Sequence, residues 1–238
     1  MADRILEAGL REIRARNPDL LGPGAAAKLN SYVEEIELFN PAYGLVGAKD
    51  RRELVVKHIL DSLTPLDIIR RLISGRDTGN NTGDCPPGIA DVGSGAGLPG
   101  IPLAIALPRC RFTLIERMGR RAAFLRNTLA VLALPNTEVE EGAVEKPAAR
   151  EGSLNEPASG NRFAILTFRA FHPLEPATLG FLFRRLIPGG VLAAYKGRRK
   201  KINEEMAPVE KFTGGWEAFP LHVPFLDDER HLVVIYQP

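Results

Sequence analysis

The chain has 238 residues, 45% of them hydrophobic and 25% charged, the balance of a soluble globular protein large enough to bury a full core. No apolar run approaches the roughly 18 residues of a membrane-spanning helix, and the charged amino terminus is unlike a secretory signal. We therefore expect a cytoplasmic protein with no membrane partner. The two cysteines lack CxxC spacing and the four histidines do not cluster, so no metal site is predicted. With a net charge of +2, only local basic patches could bind a nucleic acid.

Helical patterns fill the first part of the chain. Apolar positions recur at helical spacing over residues 5–16, 25–39 and 52 to about 72, and residues 40–44 predict a turn. We interpret residues 1–73 as an all-helical amino-terminal cap.

A glycine- and proline-rich stretch, residues 74–88, predicts a flexible loop, after which strand and helix patterns alternate through residues 89–238. The strand patterns are residues 88–92, 111–116, 137–141, 163–167 and 190–196, and the helix patterns are 101–107, 119–132, 174–186 and 200–212. This alternation predicts an α/β core with a parallel sheet and right-handed crossovers.

A glycine-rich turn lies between the first predicted strand and the helix after it, in the sequence IADVGSGAGLPGIP of residues 89–102. Glycine permits positive φ and lets a ligand approach the main chain without meeting a Cβ atom. The following helix presents unpaired N–H groups and the positive end of its dipole at that turn. The stretch therefore predicts a cradle for a small molecule.

Two ligand classes fit the spacing of this turn. Asp91, Gly93, Gly95 and Gly97 have the D-x-G-x-G-x-G form associated with S-adenosylmethionine (SAM), while Gly95-x-Gly97-x-x-Gly100 is a dinucleotide fingerprint. The acid before the first glycine favours a cationic ligand such as SAM, because it would repel a pyrophosphate. The alternative is that Asp91 only caps the turn.

Glu116 ends the second predicted strand, 19 residues after Gly97, where either ligand class expects an acid for its ribose hydroxyls. Its alternative is a surface ion pair. The two late strands, residues 214–223 and 231–236, predict a closing hairpin. A methyltransferase core with an antiparallel last strand has such a hairpin, and a plain NAD-binding domain does not, so the hairpin also favours SAM.

Three blocks of sequence resemble one family. They are LVVKHILDS at residues 54–62, DVGSGAGLPGIP at 91–102 and RHLVVI at 230–235. Together they are similar to the RsmG/GidB family of bacterial small-subunit ribosomal RNA guanine-N7 methyltransferases. The pairs Arg169-Ala170 and Lys196-Gly197 also lie where that family has its RA and KG pairs.

The resemblance implies a Rossmann-like class I SAM-dependent methyltransferase, with a seven-stranded, mostly parallel sheet, an antiparallel last strand and the helical cap. It implies methylation of N7 of a guanosine in the decoding-region loop of 16S rRNA, on free rRNA or on the small ribosomal subunit. We expect a monomer. The positions that the resemblance assigns to SAM are Gly93, Leu98, Val144, Glu145 and Arg169.

Guanine N7 carries a free lone pair at neutral pH, so its methylation needs alignment in a dry pocket and no general base. Arg169 is the one predicted catalytic residue, since its guanidinium could orient the guanine or the SAM carboxylate. His58, on an apolar helix, could be structural or catalytic.

A basic patch follows the fifth predicted strand and is expected to contact rRNA phosphates. Its members are Lys196, Arg198, Arg199, Lys200 and Lys201, with Arg117, Arg120 and Arg121 on the same rim. A merely solvated face remains the alternative. Two other functions also stay open, a dinucleotide-dependent oxidoreductase and a non-catalytic RNA-binding ribosome-assembly factor.

Overall fold

The computed structural model of the protein describes residues 2–16, 21–74, 88–142, 163–169 and 174–238. All regular elements among the described residues up to Ser74 are helical. They are α1 (Ala2–Arg16), α2 (Ala25–Tyr43), α3 (Arg51–Leu54), a π-helical segment (Val55–Leu60), α4 (Asp61–Leu63) and α5 (Leu66–Ser74). Most of the predicted flexible loop, residues 75–87, lies outside the described residues.

The predicted turn at residues 40–44 is wrong, because α2 continues through Pro41 to Tyr43. A proline removes one backbone donor from the helix, while its fixed φ of about −65° is compatible with a helical turn. The helix ends at Gly44, whose φ of 57° is left-handed and whose N–H bonds to the carbonyl of Asn40. The Asn40 side chain also bonds to both backbone groups of Val46, which fixes the direction in which the chain leaves.

The third predicted helix is interrupted rather than continuous. Its centre, Val55–Leu60, is a π-helix, and the helix breaks at Thr64 and Pro65 before α5 begins. Asp50 caps the start of α3 by accepting a hydrogen bond from the N–H of Glu53 at 2.7 Å.

One seven-stranded sheet follows, in the order β3-β2-β1-β4-β5-β7-β6. The first five strands run parallel, and β7 is antiparallel to both of its neighbours. This topology confirms the predicted class I methyltransferase fold. The strands are β1 (Ile89–Val92), β2 (Phe112–Glu116), β3 (Thr137–Glu141), β4 (Phe163–Arg169), β5 (Leu186–Lys196), β6 (Trp216–Leu221) and β7 (Arg230–Tyr236).

Helices cover both faces of the sheet. They are α6 (Gly100–Ala106), α7 (Gly119–Val131), α8 (Pro176–Arg184), α9 (Arg199–Met206) and a 3₁₀ turn (Glu210–Phe212). The last two replace the single helix predicted at residues 200–212. The cap shares one apolar core with α6 and α7, whereas α8 and α9 form a second core on the opposite face. The cap is therefore part of the folded unit that carries the carboxyl ends of the parallel strands.

Among the residues that the structure describes, no helix has the length and apolar character needed to cross a membrane. The same residues contain no group of three or more His, Cys, Asp or Glu side chains able to hold a metal ion.

Candidate functional site

The glycine turn lies at the carboxyl end of β1. Gly93, Gly95 and Gly97 all have left-handed φ angles, of 69°, 56° and 92°, so each needs the freedom that only glycine has. A Cβ on Gly97 would lie 2.5 Å from Cδ1 of Ile101, whereas a Cβ on Gly95 would meet nothing nearer than 3.8 Å. Gly97 is thus required by packing, while Gly95 borders open space where a ligand can approach.

Asp91 is fully buried on β1. Its Oδ2 accepts a hydrogen bond from the N–H of Gly100 at 3.1 Å, which is the capping contact that the sequence left as an alternative. Its Oδ1 is buried and has no hydrogen-bond partner among the described residues. Burial raises the pKa of Asp91 to about 7, although the Gly100 N–H opposes the shift. A direct role toward a cationic ligand stays a prediction.

Glu116 ends β2 and is 3% exposed. Its Oε2 accepts a hydrogen bond from the N–H of Gly95 at 2.8 Å, and its Oε1 accepts one from the N–H of Met118 at 2.9 Å. The carboxylate therefore ties β2 to the glycine turn. Each oxygen keeps a second lone pair that could accept a ribose hydroxyl.

Two tyrosines connect the cap to the sheet edge, and the sequence analysis did not identify either. The hydroxyl of buried Tyr32 donates to the carbonyl of Ala96 in the glycine turn at 2.7 Å. The hydroxyl of Tyr195 donates to the carbonyl of Ser62 at 2.9 Å. Their signal in the sequence is a phenol within an apolar pattern, because a buried hydroxyl needs a partner.

Arg169 is the last residue of β4, and its guanidinium lies against the cap. Nη1 donates to the carbonyl of His58 at 3.3 Å and to Oγ of Ser62 at 3.1 Å. Nη2 donates to the carbonyl of Lys57 at 3.1 Å and pairs with Oδ2 of Asp61 at 3.2 Å. The structure thus places the predicted catalytic residue at the junction of cap and sheet. Its predicted contact with guanine or SAM stays a prediction.

His58 lies in the π-helical segment and is half-buried. Burial and the positive charge of Arg169 lower the pKa of His58 to about 4, so its imidazole is neutral at pH 7.

The other predicted cofactor positions differ in what the structure describes. Leu98 is buried in the core beside the turn. Val144 and Glu145 lie outside the described residues.

The basic patch begins at Lys196, the last residue of β5, and continues beyond it. Its members differ in their contacts. Lys196 pairs with Glu205. Arg199 stacks over the Trp216 ring, with its guanidinium carbon 5.4 Å from the ring centroid. Arg198, Lys200 and Lys201 are exposed.

The cations that follow β2, on the neighbouring rim, also differ in their contacts. Arg120 lies over the Tyr43 ring, with its guanidinium carbon 5.2 Å from the centroid, and Arg121 donates to the carbonyl of Gly44 at 3.4 Å. Arg117 is exposed.

The described residues of the turn fit the chemistry of SAM. A side-chain-free surface at Gly95 and the free lone pairs of Glu116 suit a ribose, and the buried carboxyl of Asp91 lies behind the turn, where its charge favours a positively charged group.

Comparisons with known proteins relate most of the chain to one protein family. A model of the GidB family, described as rRNA small subunit methyltransferase G, matches residues 25–233. The chain is 37% identical to ribosomal RNA small subunit methyltransferase G of Treponema denticola, over 100% of this chain and 96% of that protein. It is 40% identical to the protein of the same name from Treponema pallidum, over 91% of this chain and 87% of that one.

Among solved structures, the O-methyltransferase from Bacillus cereus in complex with SAH is similar with a TM-score of 0.56. The match covers 87% of this chain and 91% of that chain at 18% identity. Similarity at this level of identity concerns the fold alone.

Proposed function

Because this chain belongs to the rRNA small subunit methyltransferase G family, we propose that it methylates N7 of a guanosine in the decoding-region loop of 16S rRNA. The methyl donor is SAM, as the family and the fold require. The observation that carries the proposal is the family match over residues 25–233, which includes the cap from α2 onwards, the glycine turn and the basic patch. The proposal also includes a cytoplasmic monomer that acts on 16S rRNA or on the small ribosomal subunit.

The proposed reaction is an in-line transfer without a general base. When bound, SAM supplies an electrophilic methyl group, and guanine N7 offers a lone pair that needs no deprotonation. Both carboxylates at the glycine turn already accept hydrogen bonds from backbone N–H groups. This arrangement supports roles in binding and orientation rather than in removing a proton.

The proposed roles of the residues follow from their positions. Glu116 and the surface at Gly95 receive the adenosine ribose, and the negative charge near Asp91 attracts the cationic end of the donor. Arg169 orients the reactants from the end of β4 through its positive charge, because its terminal nitrogens already bond to the cap. The neutral imidazole of His58 adds no charge that would oppose the cation forming on the methylated base. By resemblance, Val144 and Glu145 complete the donor site.

The basic patch is the proposed rRNA contact. Arg198, Lys200 and Lys201 are exposed cations beyond the carboxyl end of β5, where a phosphate backbone can reach them. A catalytically silent RNA-binding factor would use the same surface, and it remains the second candidate. The family match favours the enzyme over this factor and over the dinucleotide-dependent oxidoreductase.

A two-part experiment tests the proposal. Thermal melting of the purified protein is compared with SAM, S-adenosylhomocysteine, NAD⁺ and NADH, because a ligand that binds only the native state raises the melting temperature. We expect a rise of several degrees with the first two compounds alone. The protein is then incubated with SAM and small subunits from a strain that lacks the modification, and the digested 16S rRNA is analysed by mass spectrometry.

We expect one 7-methylguanosine per 16S rRNA molecule. Stabilisation by NADH with none by SAM would exclude the methyltransferase. Binding of SAM and rRNA without methyl transfer would favour the silent factor, and transfer to another atom or nucleotide would refute the N7 assignment.

A further inference from the structure

A buried cluster of charges joins the cap to two strands of the sheet. Asp61 is 3% exposed and lies between two arginines from distant parts of the chain. Its Oδ2 is 3.2 Å from Nη2 of Arg169, at the end of β4, and its Oδ1 is 3.7 Å from Nε of Arg230, at the start of β7. Since β7 runs antiparallel to β5, both arginines lie at the carboxyl edge of the sheet.

The cap holds Arg169 with all of the hydrogens on its terminal nitrogens. Two backbone carbonyls, of Lys57 and His58, accept hydrogen bonds from Nη2 and Nη1, and the other donors meet Asp61 and Ser62. Both carbonyls belong to the π-helical segment Val55–Leu60. A π-helical turn is rare and is frequently found at functional sites. The π-helical backbone of the cap therefore forms part of the binding site for the Arg169 side chain.

Burial of a charged side chain costs free energy, so packing alone does not explain the presence of Asp61. Burial raises its pKa, and the charges of Arg169 and then Arg230 oppose that rise. Its Oδ1 makes no hydrogen bond within the described part of the chain. A buried ion pair often stabilises a fold no better than apolar side chains of the same volume. The carboxylate therefore requires a reason other than stability.

The cluster also lies near the glycine turn. Thr167, two residues before Arg169 on β4, pairs with Asp91 on β1. Burial raises the pKa of Asp91 and of Tyr32, and the positive charge of Arg169 opposes each rise. Tyr32 in turn bonds to the carbonyl of Ala96 within the turn. A shift of the Arg169 guanidinium would consequently change the electrostatic environment of the glycine turn, where the methyl donor binds.

We propose that Asp61 is a positioning residue for methyl transfer, which fixes Arg169 and Arg230 at the carboxyl edge and holds the cap against the donor site. It acts through the two arginines and touches neither donor nor acceptor. This proposal rests on the proposed function, because it assumes that the donor occupies the glycine turn.

The test compares Asp61→Asn and Asp61→Glu in the full chain. Asn keeps the size and loses the charge, while Glu keeps the charge and adds a methylene. We expect Asp61→Asn to lower kcat by about 10²-fold, the effect of a misplacement near 1 Å, and Asp61→Glu to lower it less. If Asp61 served packing alone, Asn would be the better tolerated of the two.

Two further variants test whether Asp61 affects kcat through Arg169. In the double variant with Arg169→Met, the Asp61→Asn change should cause no additional loss of kcat, because the residue through which it acts is already gone. Asp228→Asn is the matched control. It removes an exposed carboxylate 3.7 Å from Arg230 without contacting Arg169, and should leave kcat unchanged.

Melting temperature and SAM affinity by calorimetry are measured for each variant. Unchanged kcat in Asp61→Asn, or a loss fully additive with Arg169→Met, would overturn the proposal. If Asp61→Asn does not fold, Arg230→Gln decides instead, since a lower kcat at normal SAM affinity supports the proposal and an unchanged kcat refutes it. A wild-type protein that binds no SAM would refute the proposed function itself, which is a different result.

Discussion

Asp91 and His58 are buried to different extents, and their pKa values move in opposite directions. Burial favours the neutral form of each, so the carboxyl pKa rises to about 7 and the imidazole pKa falls to about 4. At pH 7 the imidazole is uncharged and the carboxyl is close to half ionised. At this pH His58 therefore contributes no charge, whereas the charge of Asp91 changes with pH.

Replacing Asp91 with Asn should change how stability depends on pH. The folded pKa of about 7 lies above the ordinary value of 3.8, so the folded state binds the proton more tightly. The stability that this provides is present at low pH and is lost as pH rises from about 4 to about 7. We expect Asp91→Asn to lack this loss and to melt about 3 °C or more above the wild type at pH 8.

Scanning calorimetry without ligand, from pH 5 to pH 8, measures this difference. Asp67→Asn, which removes an exposed carboxylate from α5, is the control and should follow the wild type. SAM affinity at pH 8 should fall in Asp91→Asn, because an amide lacks the charge that attracts a cationic donor. Parallel stability curves for wild type and Asp91→Asn would contradict the prediction.

At the scale of elements, the glycine turn combines two requirements that substitution can separate. Gly97→Ala would place a Cβ at 2.5 Å from Ile101 and at a φ of 92°, in a core with no room for it. We expect a loss of stability of about 1–3 kcal/mol. Gly95→Ala meets no such clash, so it should cost only about 1 kcal/mol for its left-handed φ, yet abolish SAM binding by filling the cradle.

Melting curves and SAM calorimetry on both variants distinguish the two effects. Gly47→Ala, where a Cβ meets nothing within 4 Å, is the control for both measurements. Normal SAM affinity in a folded Gly95→Ala protein would show that the donor does not bind against this face of the turn.

Local patterns were sufficient to predict most elements. The position of β3, the glycine turn and the closing hairpin each follow from residues close together in the chain. The π-helical segment was not predictable, because apolar positions in LVVKHIL suit either an α-helix or a π-helix. Pro41 indicated a turn because proline usually ends helices, and only the bonds of Asn40 and Gly44 show where α2 stops.

The residues of the candidate site also differ in whether the local sequence identifies them. Asp91 and Glu116 were identified because their spacing from the glycines is local. Nothing local in the LVVKHILDS block marks Asp61 as a site residue, and its two arginine partners become visible only when β4 and β7 are brought to one edge. Contacts between residues so far apart in the chain leave no periodic signal.

At the scale of the whole molecule, a small net charge of +2 conceals an uneven distribution. Within the basic patch, Lys196 and Arg199 already contact Glu205 and Trp216. Arg198, Lys200 and Lys201 are exposed and form no ion pair with another described residue. These three cations should therefore carry more of the rRNA affinity than the sequence, which treats all five cations alike, would suggest.

Reversing the charges of Arg198 and Lys200 to Glu should weaken rRNA binding at least about tenfold in low salt and flatten the dependence of affinity on salt. SAM affinity should not change. The matched control is Arg184→Glu with Lys211→Glu, which reverses two exposed cations near the amino ends of β5 and β6. Filter binding over a range of salt concentrations measures both. Equal affinities for the two double variants would remove the basic patch from the proposed rRNA contact.

Because β7 lies between β5 and β6, it joins β6 to the rest of the sheet. It also places Arg230 next to Asp61. A transient detachment of the β6–β7 hairpin would expose the backbone amides of β5 to deuterium and withdraw an arginine from the cap in the same event. Hydrogen exchange in β5 and the fraction of competent enzyme should consequently report one opening equilibrium. A substitution that loosens this hairpin, even on its solvent side, would therefore lower the activity of the enzyme without contacting the donor site.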